Sequence, residues 1–205
     1  MRNAEAAEVF LEKEKPDLAE IRAILADIRQ DDKRASNVID RLRSLLKRRS
    51  LELSTLDLTE VLAGAIALAQ SDAGRRGVKI VLHSPAKLPV VRGDRVHLQQ
   101  VLLNLILNGM DAMDQELKSE RLLTVQARAA EPRGIEVAVI DRGTGMASDK
   151  QKRLFEPFFT TKPNGLGVGL AISKTIIEAH GGKIWAENHA AGGMILKFTL
   201  PAQGH

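Results

Sequence analysis

The sequence predicts an α+β fold: a two-layer sandwich with helices on one face of a mostly antiparallel sheet, preceded by a helical hairpin. Three observations lead there. Strand-like runs at Leu122 to Ala129 and Ile135 to Ile140 are joined at Pro132-Arg133-Gly134. A second pair, Lys183 to Glu187 and Met194 to Leu200, reads as a closing hairpin. Between and around these runs lie apolar helical segments that do not strictly alternate with the strands.

The elements follow in chain order. Residues 3 to 13 read as a short helix, Glu14 to Asp17 as a turn, and residues 17 to 49 as one long helix started by Pro16 and Asp17. Ile21, Leu25, Ile28, Ala35, Ile39, Leu42 and Leu46 recur at alternating spacings of about four and three, a coiled-coil seam interrupted only by Asp32. At 1.5 Å per residue such a helix is ~50 Å long and cannot bury its stripe alone. Two hairpins of this kind would pair as a four-helix bundle, so a homodimer is expected. The division expected is residues 1–50 for the partial hairpin and 51–205 for the globular part.

In the second part Asp57 is placed to cap a helix running to about Ala73, ended by Gly74 to Gly77. Val78 to His83 alternates as a strand does, Pro85 and Pro89 bracket a turn, and Val90-Val91 begins another short strand. Asp94 to Met113 is a strongly apolar helix. Residues 141 to 165, rich in Gly, Thr and Pro, read as a loop holding one short helix. Leu166 to His180 is the last helix.

Composition narrows the function classes. With 44% hydrophobic and 27% charged residues in 205, the chain is neither disordered nor collagen-like. Lacking cysteine, it has no disulfide, no Cys-based zinc site and no thiol catalysis. No apolar run reaches the ~18 residues of a membrane span. The N-terminus has no signal-peptide core, so a soluble cytoplasmic chain is expected. A net charge of +4 with only 3% aromatics does not suit a nucleic-acid module, which pairs basic patches with stacking rings.

Three clusters carry chemistry. On the apolar helix stand Gln100, Asn104, Asn108 and Asp111, with Asn104 and Asn108 sharing a face. A neutral amide oxygen there suits a hard cation such as Mg2+ that keeps waters and phosphate oxygens as its other ligands. Asp141-Arg142-Gly143-Thr144-Gly145-Met146 follows a strand end, where the two glycines let a flat ligand approach the backbone and the Asp141 carboxylate can accept from an exocyclic amine. Thr160-Thr161-Lys162, then Gly165-Leu166-Gly167-Val168-Gly169-Leu170 before a helix, would offer amide N–H groups, hydroxyls and a positive charge to an anion. This last run matches neither the P-loop nor the dinucleotide fingerprint. Taken alone, each cluster also fits a structural role.

In this order the three resemble the nucleotide-binding boxes of sensor histidine kinases. LQQVLLNLILNGMDAM is similar to the N box, DRGTGM to the first glycine box, RLFEPFFTTK, with Phe155, Phe158 and Phe159, to the F box, and GLGVGLAISKTIIEAHGGKIWAEN to the second glycine box. The similarity covers residues 57 to 201, in a superfamily that includes gyrase and mismatch-repair ATPases. It implies ATP bound under a mobile lid of about Met146 to Leu166. It makes Asn108 the Mg2+ ligand, Asp141 the reader of the adenine amine, and Gly143 and Gly145 the lining of the base. Gly165, Gly167 and Gly169 would lie beside the phosphates, with Lys162 near them. Asn104 stands where ATPase relatives carry a water-activating glutamate, which favours phosphotransfer over hydrolysis. Gly192-Gly193 is followed by Met194-Ile195 where many relatives carry Thr, leaving a second contact to the base open.

The helical part resembles the dimerisation hairpin of the same family without its phosphoacceptor. His83, His97, His180, His189 and His205 all lie outside the hairpin. No residue of this sequence is therefore expected to be the phosphoacceptor. His97 and His180 read as packing or surface residues. The implied activity is transfer of the ATP γ-phosphoryl to a histidine elsewhere and on to an aspartate of a response regulator receiver domain. The rivals are a nucleotide-binding regulatory module, a hydrolytic ATPase of the same superfamily and a helical adaptor.

Overall fold

The structure is a computed structural model that describes residues 10–11, 17–29, 51–85, 87–114, 116–117, 120–130, 134–162 and 165–203. The chain divides into two compact units, Met1–Arg48 and Arg49–His205. In the first, residues 18–29 are helical, and the Asp17 carboxylate caps that helix by accepting from the N–H of Ala19 at 2.9 Å. Ile21, Leu25 and Ile28 of the expected seam lie on it. Ala35, Ile39, Leu42 and Leu46, the Glu14 to Pro16 turn and most of the expected 3–13 helix lie outside the described residues.

The second unit contains β1 (Ser54–Leu56), α1 (Leu58–Arg76), β2 (Lys79–His83), β3 (Val91–Gly93), α2 (Arg95–Ala112), β4 (Leu122–Ala130), β5 (Gly134–Ile140), α3 (Ser148–Arg153), α4 (Gly169–Ala179), β6 (Lys183–Asn188) and β7 (Met194–Pro201). Five strands form one sheet in the order β2-β4-β5-β7-β6. Only β2 and β4 run parallel; the other pairs are antiparallel. β1 and β3 form a separate two-stranded ribbon.

Alternation along the strands sends one set of side chains to the core. Leu123 and Val125 of β4, Ile135, Val137 and Val139 of β5, and Leu196, Phe198 and Leu200 of β7 are all buried. Leu62 and Ala65 of α1, Leu98, Leu102, Leu105 and Ile106 of α2, and Ile176 and Ile177 of α4 belong to the same core cluster. Helix α2 packs against both α1 and α4. Among the described residues no helix is long and apolar enough to cross a membrane.

Both expected helix starts at Asp57 and Asp94 are caps: Asp57 accepts from the Thr59 N–H at 2.8 Å, and Asp94 from those of Val96 and His97 at 3.0 and 3.1 Å. Two boundaries differ from expectation by three residues. Helix α1 runs three residues past Ala73, because the residue that stops it is Gly77, left-handed at φ 66°. Helix α4 starts at Gly169 rather than Leu166, because Gly167 adopts φ +65° and packs on the backbone of Phe158 and Phe159. The β1–β3 ribbon was not expected at Ser54.

Asp94 is also a junction. Its Oδ2 accepts the Glu52 N–H at 3.2 Å, and its own N–H donates to Nε2 of buried His180 at 2.9 Å. The other ring nitrogen, Nδ1, lies 2.8 Å from the Ile176 carbonyl. With Nε2 accepting, Nδ1 must carry the hydrogen, so the ring is neutral. The start of α2, the end of α4 and the segment entering the unit are thus held at one point. Burial opposes the charge on Asp94, but hydrogen bonds from His97 and Glu52 outweigh it and hold the carboxyl below its ordinary range. A depressed folded value contributes stability that is present above the unfolded pKa of about 3.9 and lost as pH falls through the folded value. Asp94→Ala should therefore lower stability by about 1–2 kcal/mol at neutral pH. In urea denaturation that difference should shrink below about pH 4. Equal stability of the two proteins at neutral pH would contradict this role.

Candidate functional site

The site is built on the side of α2 that faces away from the sheet core. Asn104, Asn108 and Asp111 are half-buried on that face, while Leu102, Leu105 and Ile106 are fully buried on the other. At Gly109 a Cβ would lie 2.5 Å from Leu123 Cδ1 and 3.5 Å from the Asp141 Cβ. A side chain there would press on the buried Leu123 of β4, while Asp141, just past β5, stands at ordinary contact distance.

At its first site residue, α2 is tied to α4. Asn104 Nδ2 donates to Ser173 Oγ at 2.9 Å, and that hydroxyl donates to the Gly169 carbonyl at 3.1 Å. A Cβ on Gly169 would lie 2.5 Å from Asn104 Oδ1, so the glycine allows the first turn of α4 to meet the amide. The amide inside this apolar helix is thus bonded, as burial requires.

One turn further, Lys162 reaches α2. Its Nζ donates to Asn108 Oδ1 at 2.9 Å and to Asp111 Oδ2 at 2.5 Å. The other Asp111 oxygen accepts from Arg76 Nη1 at 2.6 Å, and Arg76 also pairs with Asp72. Burial disfavours the Arg76 charge, yet these carboxylates outweigh it and hold the guanidinium above its ordinary range. The Lys162 N–H donates to Thr160 Oγ1 at 3.1 Å, and its carbonyl accepts from the Gly165 N–H at 3.1 Å. Leu166 and Leu170 pack against the core cluster, whereas Gln100 and Thr161 are exposed and bond to no other side chain among the described residues.

A second group gathers where β5 ends. Asp141 is 4% exposed, and its Oδ1 accepts from the N–H groups of Gly143 at 2.9 Å and Met194 at 3.1 Å. Both bonds fall on Oδ1, so Oδ2 remains an acceptor among the described residues. Burial pushes this carboxyl above its ordinary range, against the two backbone donors. Gly143 has no room for a Cβ beside the Ala112 carbonyl, and Gly193, at φ +86°, has none beside the Asp141 carbonyl. Next to them lies a cavity of about 370 Å³ lined by residues including Thr144, Gly145, Met146, Asn188 and Gly193. The Asn188 amide clamps Met146 from both sides, accepting from its N–H at 3.1 Å and donating to its carbonyl at 2.8 Å.

Between these two groups runs the segment expected to be a lid. Helix α3 is held by Gln151, whose amide donates to the Ala186 carbonyl. The Arg153 guanidinium lies 4.7 Å from the Phe159 ring centre. Phe158 has φ 67° and is 70% exposed, the only non-glycine residue with positive φ among those described. Such a conformation is strained and persists where neighbours enforce it.

The structure thus brings Asn104, Asn108, Asp111, Lys162 and Gly169 together, and Asp141, Gly143 and Gly145 together. Arg76, Ser173 and Asn188 join them without having been singled out in the sequence. No group of three or more His, Cys, Asp or Glu side chains that could hold a metal occurs among the described residues. A divalent ion would therefore rely on few protein ligands plus water and phosphate oxygens, as Mg2+ does. The ammonium already resting on Asn108 Oδ1 and Asp111 indicates that the field there favours a cation.

Comparison with known proteins places this geometry. Residues 93–204 match the family model for histidine kinase-, DNA gyrase B- and HSP90-like ATPases. The chain is 39% identical over 187 residues to the sensor protein FixL of Bradyrhizobium diazoefficiens, which covers 91% of this chain and 37% of that protein. It is 36% identical over 202 residues to the sensor histidine kinase TmoS of Ectopseudomonas mendocina, covering 98% of this chain and 21% of that protein. The chain therefore spans well under half the length of either relative. Among solved structures, the catalytic domain of histidine kinase ThkA superposes with a TM-score of 0.65 at 28% identity, covering 74% of this chain and 96% of that one.

Proposed function

The chain belongs to the histidine kinase-, DNA gyrase B- and HSP90-like ATPase family and carries the ATP-binding catalytic domain of a sensor histidine kinase; on that premise we propose that it binds Mg2+-ATP and transfers the γ-phosphoryl to a histidine outside this sequence. The adenine lies beside Gly143 and Gly145 with its amine on Asp141 Oδ2. The phosphates run along α2 to Gly165, Gly167 and Gly169, where the start of α4 offers backbone N–H groups. Thr160, Thr161 and Lys162 add donors and charge. Asn108 holds Mg2+, which would neutralise charge on the phosphates during transfer. Residues 1–50 form part of a dimerisation hairpin, and the phosphoryl passes from histidine to an aspartate of a response regulator, in the cytoplasm.

One observation carries this reading: a buried carboxylate with a free oxygen lies at contact distance from Gly109 of α2, the residue next to the cation-holding amide of Asn108. The chemistry that follows is positioning and electrostatics. The acceptor ring nitrogen bonds to the γ-phosphorus as the bond to the bridging oxygen of ADP breaks. Asn104 takes no proton, because an amide is no general base and its Nδ2 is engaged with Ser173. This favours transfer to a protein group over the rival hydrolytic reading.

Asp141→Asn turns an acceptor-only group into one that also donates, so it should weaken ATP about 10–100-fold in calorimetry, the worth of a hydrogen bond to a charged group. An unchanged affinity would remove Asp141 from the base site. A second outcome concerns the chain's own histidines. His180 has both ring nitrogens engaged, and His97 opens α2 almost two turns before Asn104, ~10 Å along the axis. In-line attack needs reacting atoms ~3–3.5 Å apart. Incubation with γ-labelled ATP and Mg2+ should therefore give no acid-labile label. Adding a hairpin fragment that carries a phosphoacceptor histidine should give label on the fragment. Stoichiometric acid-labile phosphate on the chain alone would overturn this and point first to His97.

A further inference from the structure

The geometry points to Lys162 as the resident cation of the metal subsite, one that excludes a free divalent ion and yields the place only when a polyphosphate draws it away. This deepens the Mg2+-ATP reading and rests on it. The Lys162 ammonium lies 2.9 Å from Asn108 Oδ1 and 2.5 Å from Asp111 Oδ2, spanning the amide and the carboxylate. A Mg2+ ion bonded to Oδ1 needs a distance of about 2.0–2.1 Å. The ion and the ammonium would then be no more than about 5 Å apart, both positive and both drawing on the same oxygen. The two occupants repel, and a metal can enter only as the lysine leaves.

Its departure leaves nothing stranded. Asp111 keeps Arg76 on its other oxygen, so the carboxylate stays paired while Oδ2 is freed. Lys162 is itself 40% exposed, so its side chain has solvent to move through. Its backbone is bonded to Thr160 and Gly165, at the edge of the glycine-rich loop. A triphosphate laid along that loop offers the ammonium a stronger partner and brings oxygen ligands for the metal at once. Without phosphate, one amide and one carboxylate are few ligands for an ion that dehydrates reluctantly. Lys162 thus sets the order, making metal binding conditional on nucleotide.

Mn2+ is the probe, its free concentration read by electron paramagnetic resonance in the full chain. Without nucleotide, Lys162→Met should bind Mn2+ about tenfold more tightly than the unchanged protein, the scale expected for removing a like charge about 5 Å away near the surface. Lys162→Gln should do the same, so that the result does not hang on one variant's folding. Lys152→Met, which removes a charge from the exposed helix α3, should shift the constant less than about twofold. With ATP present all the proteins should take up the metal. Equal Mn2+ affinities of the unchanged protein and both Lys162 variants, with ATP-dependent uptake intact, would overturn the inference alone. Failure of ATP to bring Mn2+ to any of them would instead overturn the Mg2+-ATP reading and this inference with it.

Discussion

Helix α2 must bury one side completely, and that requirement fixes the positions of most of the groups that matter. Leu98, Leu102, Leu105, Ile106 and Met110 have no exposed surface, and each removes about 1.5–3 kcal/mol worth of apolar side chain from water. A helix anchored by such a stripe cannot rotate about its axis. The Asn104, Asn108 and Asp111 face is therefore held toward α4 and the loop before it. The amides lie where they do because the leucines leave them no alternative. Gly109, in the buried stripe, leaves room for the Leu123 side chain and lies beside Asp141.

From that axis the remaining ties run outward in both directions. At its N-terminus α2 is joined through Asp94 to His180 at the end of α4 and to the backbone of Glu52. In its middle it is joined through Asn104 and Ser173 to the start of α4. The two helices are thus fixed to each other at two levels, which holds the glycine-rich turn before α4 beside Asn108. At the C-terminal end of α2, the backbone of Ala112 closes on Gly143, and Asp141 gathers the Gly143 and Met194 amides. A single buried carboxyl thereby shapes the turn after β5.

What could be read from the sequence was local. The cap at Asp57, the apolar helix opening at Asp94 and the strand-like runs of β4, β5 and β7 are short-range patterns, and the fold class followed from them. The similarity of the three clusters to the histidine kinase boxes located Asn108, Asp141 and the glycine loop in one pass. What was missed depends on residues far apart in the chain. The parallel pairing of β2 with β4, and the antiparallel pairing of Ser54 with Gly93 in a three-residue ribbon, leave no period to detect. The start of α4 was placed too early because Leu166 continues the apolar pattern, while Gly167 is turned left-handed by its packing on Phe158 and Phe159. His180 read as a packing residue, and its bond to the Asp94 N–H spans 86 positions. Arg76 was not singled out, and only the fold sets it against Asp111.

The most direct test is a titration of the nitrogen-15-labelled chain with Mg2+ and a non-hydrolysable ATP analogue. A base beside Asp141 and phosphates along α2 should shift the amides of Gly143, Gly145, Met194, Gly167 and Gly169 together, at one shared affinity. The amides of Val81, His83 and Gln126, on the far edge of the sheet, should stay in place. A titration that leaves those glycines unmoved, or shifts the β2 edge instead, would contradict the nucleotide site at its centre.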